Sequence, residues 1–158
     1  ERDILRLKGP LGSFFVREDS DKPIILLAGG TGFAPIKGML EHLFAEHSRR
    51  RLVLYWGVRS LADLYLAELP RQWAGEKPNF SFIPVLSQAR PEDRWQGRTG
   101  YVHDAVLADY ADLSGYQVYA SGAPAMVDAA QTAFVGQRGL AEDDFFSDAF
   151  TNASTGAA

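Results

Sequence analysis

From Pro23 onward the chain alternates short, continuous apolar runs with segments whose apolar residues recur at helical intervals, and this limits the fold more than any other feature. "IILLAGG" (24–30) precedes "APIKGMLEHLFAEH" (34–47), in which Ile36, Met39, Leu40, Leu43 and Phe44 recur at helical spacing. "RLVLYWGV" (51–58) precedes "SLADLYLAELPRQWA" (60–74), where Ser60 is placed to cap a helix carrying Leu61, Leu64, Leu66 and Leu69, with Pro70 ending or kinking it. A third run, "NFSFIPVLS", leads through the polar loop "QARPEDRWQGRTG" into the short helix "YVHDAVLADYA". A fourth, "YQVYAS", opens through "GAP" into a helix that Gly139 stops, and "DDFFSDAF" supplies a last strand. Strands separated by helices imply right-handed crossovers, a parallel sheet and helices on both faces.

At 158 residues and 46% hydrophobic content, one such domain can bury its own core. A net charge of −4 argues against a nucleic-acid partner, and the run Arg49-Arg50-Arg51 reads as cations closing a helix. With no cysteine in the chain, disulfides and thiolate-held metals are excluded within it. His42, His47 and His103 are scattered, the first two missing the i, i+4 spacing of a helical metal pair, so no metal site is expected. No run reaches the ~18–20 apolar residues of a membrane span, which together with the lack of a visible signal peptide predicts a soluble, cytoplasmic protein without a membrane partner.

Chemistry concentrates at two strand-to-helix turns. Gly29-Gly30-Thr31-Gly32 exposes bare backbone ahead of a helix whose first turn accommodates Pro35. The pattern misses the G-x-G-x-x-G fingerprint, because Pro35 stands where the third glycine belongs and the second strand ends in Trp56-Gly57-Val58-Arg59 without a ribose-binding acid. Alone it fits a phosphate cradle or a purely structural turn equally well. A second turn, Ala120-Ser121-Gly122-Ala123-Pro124, favours binding, since ligands of open parallel sheets lie beyond the carboxyl ends of strands where the order reverses.

These residues resemble the nicotinamide-dinucleotide domain of the ferredoxin–NADP reductase superfamily, in its NADH-using oxygenase-reductase branch. "LLAGGTGFAPI" resembles the pyrophosphate turn, "YWGVRSLADLY" the adenosine side, "VYASGAPAMV" the nicotinamide side and "FFSDAF" the C-terminal strand. "YWGVRSLADLYL" is most similar to reductases of the CDP-6-deoxy-glucoseen reductase type and to phenol-hydroxylase-type reductase components. The resemblance implies a three-layer α/β/α domain, flavodoxin- or Rossmann-like, with a five-stranded parallel sheet in the order 3-2-1-4-5.

It further implies hydride transfer from NADH or NADPH to FAD, with electrons passing on to an iron–sulfur acceptor and then to an oxygenase or dehydratase. Gly29, Gly30, Thr31, Gly32 and Pro35 would hold the diphosphate; Arg59 and Asp63 would flank the adenosine ribose; Ser121, Gly122 and Pro124 would line the nicotinamide side; and Phe150 would lie against the flavin. Ser121 stands where the family commonly has cysteine, so hydride positioning would differ in detail, and it alternatively satisfies its own turn. Phe145, Phe146 and Phe150 alternatively finish a core. Arg59 could accept a 2′-phosphate, but without a second nearby cation NADH is favoured.

"DILRLKGPLGSFFV" and the start at Glu1 read as the tail of a preceding domain; "GPLGSFF" resembles the end of the family's flavin-binding barrel, which the resemblance places over 1–18, and the absence of the family's flavin-contacting Arg-x-Tyr-Ser motif fits a barrel lying upstream. The dinucleotide-binding domain then covers 19–150, and "TNASTGAA" (151–158) reads as a poorly ordered tail. Two rival readings stay open: a non-catalytic dinucleotide-sensing or docking module, and an FMN site. The cradle reading predicts that a Cβ at Gly32 harms binding more than folding.

Overall fold

The computed structural model describes residues 12–150. The expected tail over 151–158 and most of the expected leading segment over 1–18 lie outside them. The strands are Ile24–Gly29 (β1), Leu52–Val58 (β2), Phe80–Leu86 (β3), Arg98–Thr99 (β4), Gln117–Gly122 (β5) and Phe145–Ala149 (β6). Phe33–Ala45 (α1), Glu68–Glu76 (α2), Val102–Asp109 (α3) and Pro124–Arg138 (α4) are the α-helices among the described residues.

All strand pairs are parallel, in the order β4-β3-β2-β1-β5-β6. The five long strands keep the expected arrangement. The strand count is corrected to six, because Arg98–Thr99 leaves the polar loop to pair with Val85 and Leu86 at the edge. Both its residues are exposed, so no apolar pattern marks it.

β1 lies mid-sheet with Ile24, Ile25, Leu26, Leu27 and Ala28 all at 0% exposure, which is why it reads as a run rather than an alternation. α1 and α2 cover one face, with Ile36, Leu40 and Trp73 in its core; α3 and α4 cover the other, with Val106 and Phe134. From β1 the chain builds β2 and β3 on one side, then crosses to β5 and β6 on the other, so the order reverses between β1 and β5.

Two local expectations are corrected. The long helix from Ser60 is instead a 3₁₀ turn over Leu61–Asp63 and a separate α2, and Pro70 sits in the first turn of α2 rather than at its end. There its missing N–H has no intrahelical acceptor to lose. The run Arg49-Arg50-Arg51 closes no helix, since α1 ends at Ala45, and Arg50 is buried. Gly139 does end α4, in the left-handed conformation at φ 69°.

Candidate functional site

Parallel pairing puts Ala28 beside Ser121, so both turns leave adjacent strands at the same edge of the sheet. Gly30 holds φ 52°, a conformation that glycine adopts without penalty, and a Cβ built there meets nothing within 4 Å. It faces open space at the mouth of the crevice. Thr31 is exposed beside it, and Pro35 is half-buried in the first turn of α1. The cradle therefore fits a diphosphate at Gly30 and Thr31, ahead of the positive end of a helix.

Gly32 does something else. Its φ of −58° suits any residue, but a Cβ there would stand 2.0 Å from the Ser121 carbonyl oxygen. It is a glycine because the first turn packs directly against the second. The expectation that its Cβ would obstruct a ligand rather than the fold is thereby reversed. Gly29 ends β1 facing the Met126 side chain and the backbone of Gly122.

Ser121 is fully buried, and its Oγ has no hydrogen-bond partner among the described residues. The alternative in which this hydroxyl satisfies its own turn does not hold. An orphaned buried hydroxyl costs about 1–3 kcal/mol, so the position suits a group that must hydrogen-bond something the protein lacks. Pro124 opens α4 at its first position. Phe145 is buried in the α3/α4 face, and Phe146 stacks on Tyr119 at 4.8 Å on the other. These two finish the core, whereas Phe150 is 37% exposed and its N–H donates to the Gly122 carbonyl at 2.9 Å. It lies at the mouth, by the second turn.

Arg59 and Asp63 lie past β2, on the other side of β1 from Ser121. The Ser60 N–H and hydroxyl both donate to Asp63 Oδ2 at 2.9 Å. Those bonds, the backbone one first, hold its carboxyl below the usual aspartate range, with smaller help from Arg59 and Arg90. Arg90 is thus the second cation that the sequence did not reveal, but its guanidinium already meets Glu92 at 3.4 Å and Asp93 at 3.7 Å. Among the described residues no cluster of three or more His, Cys, Asp or Glu could hold a metal ion, and no helix is long and apolar enough to cross a membrane.

Sequence reasoning takes Trp56 as a packing residue near Arg59 and misses its bond to the first turn. Its indole N–H donates to the Gly30 carbonyl at 2.9 Å, and its ring stacks on Phe33 at 4.1 Å. In a trans peptide the carbonyl and the next N–H point oppositely, so pinning the Gly30 oxygen aims the Thr31 N–H away from the indole. A tryptophan inside an apolar run reads only as core, and no spacing signals this bond. Trp56→Phe, which removes the donor and leaves a void in a fully buried site, should cost about 2 kcal/mol or more, read as a fall of ~4–8 °C in thermal midpoint.

The fold and the two abutting turns define an open α/β nucleotide-binding domain. Residues 26–132 match the family described as oxidoreductase NAD-binding domain. The chain is 47% identical over 149 residues to the CDP-6-deoxy-L-threo-D-glycero-4-hexulose-3-dehydrase reductase of Yersinia pestis, covering 94% of this chain and 44% of that one. It is 40% identical over 156 residues to the phenol 2-monooxygenase reductase component DmpP of Pseudomonas sp. strain CF600, covering 98% and 44%. The crystal structure of Amycolatopsis cytochrome P450 reductase GcoB superposes with a TM-score of 0.82 at 38% identity, over 92% of this chain and 44% of that one. The chain belongs to the oxidoreductase NAD-binding domain family, within the ferredoxin reductase superfamily. It spans under half the length of these relatives.

Proposed function

We propose that this chain is the dinucleotide-binding half of a flavin-dependent reductase that passes hydride from NADH to FAD and electrons onward to an iron–sulfur acceptor serving an oxygenase or dehydratase. The observation that carries the reading is the abutment of the two turns at the point where strand order reverses, with open backbone at Gly30 and an orphaned hydroxyl at Ser121. NADH supplies the hydride and the flavin accepts it, so the chain's own work is orientation rather than proton chemistry.

Gly30 and Thr31 present backbone to the diphosphate, with Thr31 adding a hydroxyl, while Gly29 and Gly32 let the first turn close against the second. The Ser121 Oγ and the Gly122 turn meet the nicotinamide side, and Phe150 offers its exposed ring to the flavin. Arg59 and Asp63 flank the ribose; the Asp63 carboxylate, beside a second arginine already paired, favours a ribose hydroxyl over a 2′-phosphate. The flavin and iron–sulfur domains belong to the rest of the polypeptide, with residues 19–150 as the dinucleotide domain.

The full-length polypeptide should lose flavin absorbance anaerobically on adding NADH, and faster than with NADPH. Dinucleotide binding without flavin reduction would instead favour a sensing or docking module.

A further inference from the structure

A buried polar network at the opposite edge of the sheet ties the segment before β1 to β5. Arg50, 9% exposed, donates from Nη1 to the Arg17 carbonyl at 3.0 Å, from Nε to the Lys22 carbonyl at 2.6 Å and from Nη2 to Gln117 Oε1 at 2.7 Å. The Tyr119 hydroxyl accepts from the Arg17 N–H at 2.8 Å and donates to the same Gln117 oxygen at 3.2 Å. Asp144 closes the network, accepting from Gln117 Nε2 at 3.3 Å and Lys22 Nζ at 2.6 Å. Burial pushes the Arg50 guanidinium below its ordinary range, yet it stays charged.

Burying an arginine is expensive, and a packed apolar side chain would fill the same space at least as well. The partners show what the arginine does that an apolar side chain cannot: two of its three acceptors are carbonyls of the leading segment, and the third is a side chain of β5. That segment also lies on the β5–β6 face. Phe14 packs near Tyr119 at 6.2 Å, and the Arg17 guanidinium sits over Phe146 at 4.7 Å. Tyr119 and Ser121 are two positions apart on the same face of β5, about 7 Å along the strand. The leading segment is therefore fixed to the strand whose end carries the orphaned hydroxyl.

We infer that Arg50 is a positioning residue for hydride transfer: by clamping residues 17–22 to β5, it sets the orientation of whatever domain precedes Gly12 relative to Ser121. This rests on the proposed reductase function, where a misplacement of about 1 Å can slow the reaction as much as 10²-fold.

The test uses the full-length flavin-containing polypeptide with Arg50→Met, Arg50→Lys and Tyr119→Phe. In Arg50→Met the limiting rate constant of flavin reduction by NADH should fall about tenfold or more, while the calorimetric Kd for NAD⁺ stays within about twofold. Arg50→Lys should recover part of the rate. Independently of turnover, hydrogen–deuterium exchange should show residues 17–22 losing protection in Arg50→Met. Tyr119→Phe, which removes the two bonds of one neutral hydroxyl and no charge, should show both effects more weakly and decides the matter if Arg50→Met does not fold. An unchanged limiting rate in folded variants overturns the inference, as does a fall in rate matched by an equal loss of NAD⁺ affinity. Failure of the parent to reduce its flavin overturns the proposed function itself, and this inference with it.

Discussion

Gly32→Val should destabilise the domain by roughly 3 kcal/mol or more, a fall of about 10 °C in thermal midpoint. The reason is steric. A Cβ at this position stands 2.0 Å from the Ser121 oxygen, 2.5 Å from its carbonyl carbon and 2.9 Å from the Gly122 nitrogen, all of them backbone atoms held in a fully buried strand. A flexible side chain could rotate away, but the end of β5 can retreat only by breaking its pairing with β1 or β6. Backbone strain contributes nothing, because φ is already −58°. The measurement is thermal or urea unfolding followed by circular dichroism. A midpoint within about 2 °C of the parent, with dinucleotide binding lost, would restore the view that Gly32 faces the ligand.

That reversal shows where sequence reading stops. The apolar runs marked β1, β2 and β5 because strands inside a parallel sheet are buried on both faces, and marked β3 through its apolar ends although Ser81 is exposed, while helix spacing marked α1. The two turns were legible because proline just inside a helix and glycine just before it are local signals. What stayed hidden depends on contacts between segments distant in sequence. The partner of Gly32 is Ser121, that of Arg50 is the segment before β1, and that of the Trp56 indole is Gly30. A basic triplet looks like a solvated helix end until the fold brings three acceptors to its middle member. β4 escaped for a different reason: two exposed residues carry no periodicity. The start of α2 was misplaced because Leu61 and Leu64 continue a helical spacing that the chain interrupts between Asp63 and Glu68.

Gly30→Ala should behave oppositely to Gly32→Val. At φ 52° an alanine costs about 1 kcal/mol, and its methyl group meets no protein atom within 4 Å, so the variant should fold with a midpoint lowered by only ~2–4 °C. The open space that spares the fold is the space the proposed cradle would offer to a diphosphate. A methyl group there keeps the phosphate oxygens from the N–H groups at the start of α1, and the affinity for NADH should fall about tenfold or more, equivalent to ~1.4 kcal/mol. Calorimetric titration of parent and variant with NADH, beside ADP-ribose, which carries the same diphosphate without nicotinamide, reads the effect directly. Equal losses for both ligands place the damage at the diphosphate. A loss confined to NADH would move the methyl group's effect to the nicotinamide side, and unchanged affinity for both would leave Gly30 as a turn glycine and remove the cradle from the proposed function.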